Sequence, residues 1–461
     1  MAADSATPEA TQKLASFAAN LRYDDIPQRV REHCKNLLLD ALACAVAGRL
    51  GEETGQVAAL AGALAQSREA SVIGGEPLSL AGATLLNAYL VTAVTMCDVH
   101  RPTLTHVTPE IVPPALAVAE RDGLSGHALL TAMAAGCEVT TRVGLGLDYP
   151  KFRARGWHGP GVIGPFGAAA AVGSLLGFDA DTMARAFGLA GSQAAGTFAA
   201  WGTPTVKFHQ CRGALSGLLA ALLAQQQFVA TREFLSAKDG GLYNTYADGG
   251  KADLAIADLG QRWELQQIAL RLWPSASLIQ GMVTALFDIL GRQPIDFASV
   301  RKVRIALSEG AFKMHGGFGT YKAKFEALLS VHYTAAAILH DKALTLAQFE
   351  PSRYDDQKLR RFAAERVEVF ADPSTSGSQA NVDVETGEAA YSARCAHPLG
   401  SYENPLSRAQ IEAKFRTYAK GVLPDGAIAD VIGAVNGLEH VASVRTLMAP
   451  LCGTPRAIAA E

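Results

Sequence analysis

Over roughly its first 265 residues the chain offers one run of three-to-four apolar spacing after another and no stretch that alternates with period two. That periodicity requires helices packed on helices and excludes a β-domain from this half. "DIPQRVREHCKNLLLDALACAVAG" holds the spacing until Gly48, where it stops. "TPEATQKLASFAANL" opens with Thr7 as N-cap and Pro8 at the first helical position. "SGHALLTAMAAGCEVTTRVG" begins at Ser125 and ends on Gly144, and "DADTMARAFGLAGSQAAG" takes Asp179 or Asp181 as its cap. Alanine and glycine are abundant while aromatics are 7% of the chain, so the crossings are made by small residues that let helices approach closely.

The pattern changes near residue 297. "SVRKVRIAL" alternates, with Val303, Ile305 and Leu307 on one side, and "ERVEVFAD" does the same through Val367 and Val369. "ANVDVETGEAAYSARC" reads as a hairpin around Thr386-Gly387, and "AKFEALLSVHYTAAAILHDKALTLAQF", between the first two strands, reads as helix. After "HPLGSYENPLS", "RAQIEAKFRTYAK" returns to helix. The expected fold is mainly α: a discontinuous all-helical domain over 1–268 and 405–461, and a smaller α+β domain over 269–404 with a short antiparallel sheet.

With 49% hydrophobic and 18% charged residues, the chain has ample core for a globular fold. A net charge of −3 and the absence of any run of five basic residues exclude nucleic-acid binding. Apolar stretches such as "GALSGLLAALLAQQ" are interrupted too early to span a bilayer, which takes roughly 20 apolar residues. The start of the chain lacks the basic and apolar blocks of a signal peptide, and its seven cysteines include no C-x-x-C. A reducing compartment, the cytoplasm, is expected.

Polar residues gather in islands. "RGWHGPGVIGPFGAAAAVGSLLG" matches G-x-G-x-x-G at Gly159, Gly161 and Gly164, but no strand feeds the glycines, so a dinucleotide site is rejected. They read as a tight loop and a closely packed helix, which leaves His158 beside Trp157, with Arg153 and Arg155 nearby. "CDVHRPTLTHVTPEIVPPALAVAE" places Asp98, His100, Arg101 and His106 on a proline-bearing loop suited to acid–base work. A metal held by Asp98, His100 and His106 is the lesser reading, since no H-E-x-x-H or C-x-x-C accompanies them. "TPTVKFHQCRGALSG" supplies Lys207, His209 and Arg212 just before a helix, cations fit for carboxylates or simply surface charges. Arg271 lies in "LRLWPSASLIQ"; Tyr333, in "LLSVHYTAAAIL", occupies a position more often core than functional. Ser192 in "LAGSQAAG" sits in a helical pattern, not on a strand-to-helix elbow, which discards serine hydrolysis.

Together these segments resemble the MmgE/PrpD family along essentially the whole chain. "LLLDALACAVAG", "THVTPEIVPPALAVAERDGLSGHALLTAMAAGCEVTTRVG", "RGWHGPGVIGPFGAAAAVGSLLGFD", "AFGLAGSQAAG" and "NPLSRAQIEAKF" carry the likeness in order. The resemblance implies a homodimer without cofactor or metal, acting on a small di- or tricarboxylate by moving a proton beside a carboxylate. The implied reactions are those of 2-methylcitrate dehydratase or cis-aconitate decarboxylase, with iminodisuccinate epimerisation as the alternative and a non-catalytic carboxylate-binding dimer behind it. By position, His158, His106, Lys207, Tyr333 and Asp98 match the family's catalytic residues, and Arg271, Arg101, His209 and Arg153 are implied to hold substrate. Tyr149 is a second tyrosine able to share proton transfer. The chain departs from the pattern at Cys97-Asp98 for an aspartate pair, at Arg271 for lysine and at Gln280 for histidine. Arginine keeps the charge but does not give up a proton.

Overall fold

The computed structural model describes residues 10–317 and 321–453. The cap expected at Thr7 and Pro8 lies outside them. Two compact units emerge: one contains the chain up to Ala93, Cys97–Ile268 and the chain from Arg408 onward, the other Val94–Met96 and Ala269–Ser407.

The first unit is helical: α1 (Ala10–Asn20), α2 (Gln28–Gly48), α3 (Thr54–Leu64), α4 (Leu80–Thr92), α5 (Thr108–Arg121), α6 (Gly126–Gly146), α7 (Tyr149–Ala154), α8 (Gly159–Leu175), α9 (Ala180–Gly191) and α10 (Thr205–Gln225) form its frame. A two-residue strand, β1 (Val99–His100), interrupts the loop before α5. The Ser125 hydroxyl caps α6 and Asp179 caps α9 through the Thr182 amide at 2.8 Å. Every residue of α8 from Gly159 to Gly173 is buried, so this helix is apolar all round and runs through the middle of the unit. It crosses α6 at Gly136 and Gly167, where a Cβ on Gly167 would collide with the Thr140 hydroxyl and the Gly136 carbonyl. The late helix Arg408–Ala419 packs on α2, where Lys414 meets Asp40 at 2.6 Å with both side chains fully buried. Six of the seven cysteines are buried free thiols.

The second unit is built on a four-stranded sheet; β2 (Ile268–Ala269) stands at its boundary with the first, followed by β3 (Val300–Leu307), β4 (Val367–Ala371), β5 (Ala380–Thr386) and β6 (Ala390–Cys395). The order is β4-β3-β5-β6. Val303, Ile305 and Leu307 of β3 are buried, as their alternation predicts. The antiparallel pairing expected from sequence holds for β3–β5 and β5–β6, while β3 and β4 run parallel. Parallel strands need a crossover, and the helices between residues 308 and 366 supply it. The run expected as one helix is broken: Lys324–Leu329 ends before Ser330, whose hydroxyl accepts from the Tyr333 amide at 3.1 Å and starts Val331–Asp341. Gln280–Arg292 packs on β5 and β6.

Candidate functional site

The G-x-G-x-x-G letters fall on the first turns of α8, with no strand before them. A Cβ at Gly161 would strike the Ala195 carbonyl and one at Gly164 the Glu110 side chain, so these glycines serve close approach to neighbouring chain. His158 is the residue just before α8, with extended backbone, and its amide donates to the Gly196 carbonyl at 3.0 Å. Trp157 bridges to Thr197, and the Phe198 amide donates to Gly156 at 2.8 Å. Two loops are thus zipped together. Arg212 locks them from α10, donating to the carbonyls of Gly161, Ala195 and Gln193. Its charge is used to build the loop.

This scaffold brings His158 Nδ1 within 3.0 Å of His209 Nδ1, and the His158 ring edge meets Phe198 while the Arg153 guanidinium lies 3.5 Å above that phenylalanine. One nitrogen donates and the other accepts, so the pair holds one shared proton between facing atoms. Burial, aided by the charges of His209, His106 and Arg153, drives His158 down to about 3. Burial and Arg212 lower His209 as well. His209 and Lys207 lie inside α10, not before it as the sequence suggested.

His106 is half-buried and its Nδ1 lies 2.6 Å from the Asp98 carbonyl. A carbonyl only accepts, so Nδ1 carries the proton and Nε2 keeps its lone pair in the neutral ring. The Cys97 thiol is 3.6 Å from the same nitrogen. The Asp98 carboxylate is fully buried and accepts from the amides of Val107 and Thr108, each at 3.0 Å, and from the Thr108 hydroxyl. It caps α5 from ten residues away and thereby fixes the loop that carries His106. Burial nonetheless raises its affinity for a proton. His100 is buried with Nδ1 against Thr103 at 2.7 Å and Nε2 against Glu264 at 3.1 Å, so neither nitrogen remains for a metal shared with Asp98 and His106. Arg101 is half-buried on the same loop. Tyr149, on α7, is half-buried, and burial raises its pKa.

Lys207 leaves α10 two residues before His209, on a different face. Its ammonium lies 3.7 Å from Glu53, which also accepts from Tyr89 Oη at 2.7 Å. Arg155 forms an exposed pair with Asp248. A groove of about 830 Å³ lined by residues that include Phe17, Arg232 and Trp263 shares none of the histidine residues.

In the second unit, Arg271 is buried and donates to the Ser275 carbonyl at 2.9 Å, and Gln280 donates to the Ser275 hydroxyl at 2.7 Å. Tyr333 is fully buried, its hydroxyl on the Gln348 carbonyl and its ring between Tyr321 and Phe349. That is the core position its apolar surroundings suggested. His315, which no sequence motif marks, is buried in a π-helical turn with Nδ1 3.1 Å from the Leu329 carbonyl, and burial lowers it to about 4.

Comparison with known proteins gives a consistent likeness. Residues 12–255 match the MmgE/PrpD N-terminal domain and residues 273–436 the MmgE/PrpD C-terminal domain. The chain is 27% identical to a cis-aconitate decarboxylase of Aspergillus terreus, over 95% of each chain. It is 28% identical to a cis-aconitate decarboxylase-like protein of Aspergillus oryzae, over 98% of this chain and 100% of that one. The cis-aconitate decarboxylase of Homo sapiens is 25% identical, over 96% and 94%.

Proposed function

The chain belongs to the MmgE/PrpD family, and on that premise we propose that it is a lyase that removes CO2 from a small unsaturated tricarboxylate of the cis-aconitate type by acid–base proton transfer. One observation carries the reading: His158 and His209 face one another in the first unit, with His106 and Arg153 acting on His158, and burial keeps the pair uncharged until an anion arrives. The relatives are named cis-aconitate decarboxylases, which supports the choice among lyases.

A bound polyanion raises the proton affinity of the histidine pair, which then takes up one proton and becomes the acid. In the reaction, the bond to the departing carboxylate breaks and its electron pair forms a new alkene. The electrons of the old alkene meanwhile capture the proton from the imidazolium at the far carbon. Tricarboxylate and one proton give dicarboxylate and CO2. Lys207 is proposed to exchange Glu53 for a substrate carboxylate, and Arg153 and Arg101 to hold the others, in a site with little water to screen them. His106, its Nδ1 anchored on the Asp98 carbonyl, is assigned to the same chemistry. Asp98 is a positioning residue.

The test is NMR in D2O with cis-aconitate, 2-methylcitrate, citrate, tartrate and iminodisuccinate. The expected result is CO2 release from cis-aconitate with one deuterium incorporated. Water loss from 2-methylcitrate makes the protein a dehydratase, and inertness toward every acid ends the enzymatic reading. Epimerisation of a dicarboxylate is the second reading, favoured by Arg271 and Gln280, which stand where the family's lysine and histidine were expected and supply no mobile proton. A cytoplasmic homodimer belongs to the proposal. Leu219 and Leu223, one turn apart on α10, with Phe228 and Val229 beyond it, expose an apolar strip for a second copy. Sedimentation at the monomer mass would remove that part.

A further inference from the structure

Glu110 has no part in the reading above. It lies in the first turn of α5, four residues beyond His106. Its side chain is 0% exposed, and neither carboxyl oxygen has a hydrogen-bond partner among the described residues. Its own amide is near but fails the geometry of a hydrogen bond. Two further helices close on it: a Cβ at Gly164 of α8 would collide with its Cγ, and one at Gly213 of α10 would stand 3.4 Å from that atom. Gly164 is six residues past His158 and Gly213 four past His209. Glu110 therefore sits about one to two turns inside each of the three helices that present the histidines.

The titratable groups that act on it are Cys97 and Asp98 on the loop before α5, Cys137 on α6 and Cys211 on α10, and none brings positive charge. Asp98 already answers the amide end of α5, so the positive pole of that helix does little for Glu110. A carboxylate stripped of water, donors and cations takes up a proton instead. Burial, with the negative charge of Asp98, holds Glu110 protonated well above the usual carboxyl range.

We propose that Glu110 is the internal proton donor of the histidine cluster, holding one proton in the resting protein and yielding it to the His158–His209 pair when an anionic ligand binds. The inference rests on the carboxylate reading of the site. In the step the Glu110 O–H bond breaks with its electron pair left on oxygen, and an imidazole lone pair forms the new N–H. The products are a carboxylate and an imidazolium, so the buried core gains no net charge and draws no proton from solvent.

Calorimetric binding of propane-1,2,3-tricarboxylate, which has no alkene to react, in buffers of different ionisation enthalpy counts the protons taken from solvent. At pH 7, Glu110→Gln is expected to take up about one proton more per site than the wild type. Its kcat on cis-aconitate should fall about 10-fold or more with little change in KM. Equal proton uptake in the two proteins overturns the donor role. Absence of binding by both overturns the carboxylate reading instead, and the donor role with it. An infrared measurement needs no ligand: the resting wild type should show a protonated-carboxyl C=O band that Glu110→Gln lacks, and identical spectra overturn the proposal. Glu110→Leu, which needs no hydrogen bond in that place, is the second variant under the same readouts if the amide fails to fold.

Discussion

Two imidazoles with Nδ1 atoms 3.0 Å apart hold one proton between them easily and two only under repulsion. His158→Ala is expected to abolish turnover while lowering stability by about 1–3 kcal/mol, since His209 is left facing a small cavity. Single-turnover NMR and urea melts check the two halves; surviving turnover removes His158 from the chemistry. The same burial has a pH signature. His158 is lowered to about 3, and His33, half-buried on α2, to about 4 by desolvation of its ring, so between those values and the ordinary 6.5 the unfolded chain binds more protons than the folded one. Their stabilisation is complete above 6.5 and is lost as pH falls through that window. The Tm should decline from pH 7 to pH 4, and a Phe at His33 should flatten that slope. An unchanged slope means that His33 does not stay neutral in the fold.

At the level of elements, α5 depends on a cap that does not belong to its own sequence neighbourhood. Asp98→Ala removes the acceptor of the Val107 and Thr108 amides and is expected to cost about 1–2 kcal/mol. The greater effect should fall on turnover, because the loop that anchors His106 is released. Equal kcat in variant and wild type would remove the positioning role. Gly164→Ala drives a methyl into Glu110 and should destabilise by about 1–3 kcal/mol, read by thermal melts; a neutral result means the α5–α8 spacing is slack. These elements also show what a sequence discloses. Ser125 is legible as a helix start and Asp179, alongside Asp181, as a candidate cap, because each adjoins its helix; the structure selects Asp179. The cap that Asp98 makes on α5 gives no local sign in the sequence, because its ten-residue reach is tertiary. Ser330 was hidden in an apolar run that periodicity carries straight through it. Glu110, four residues beyond His106, carries no signal in the sequence, since nothing local tells a buried carboxyl from a solvated one. His158 was legible through its setting: a polar ring on a glycine-rich loop whose letters lacked the strand a nucleotide needs.

For the whole molecule, the helical unit is closed by a buried ion pair between early and late sequence, Asp40 and Lys414. Lys414→Ala should cost about 3–5 kcal/mol by leaving an uncompensated charge in the core, whereas Asp40→Leu with Lys414→Met should recover most of it. Denaturant midpoints separate the cases; equal losses mean the pair is held for packing alone. The sequence suggested that the tail returns to the helices, but not the contact that fastens it, because lysine and aspartate are ordinarily surface residues. That contact sets an order of events at the ribosome. Asp40 and Lys414 are 374 positions apart, so at about 5–20 residues per second the partner arrives roughly 20–75 s after the carboxylate it will neutralise. Throughout that interval the nascent helices expose the face that Arg408–Ala419 will cover. Apolar surface that the finished fold hides is therefore open to aggregation for tens of seconds, until residues 408–419 have been made.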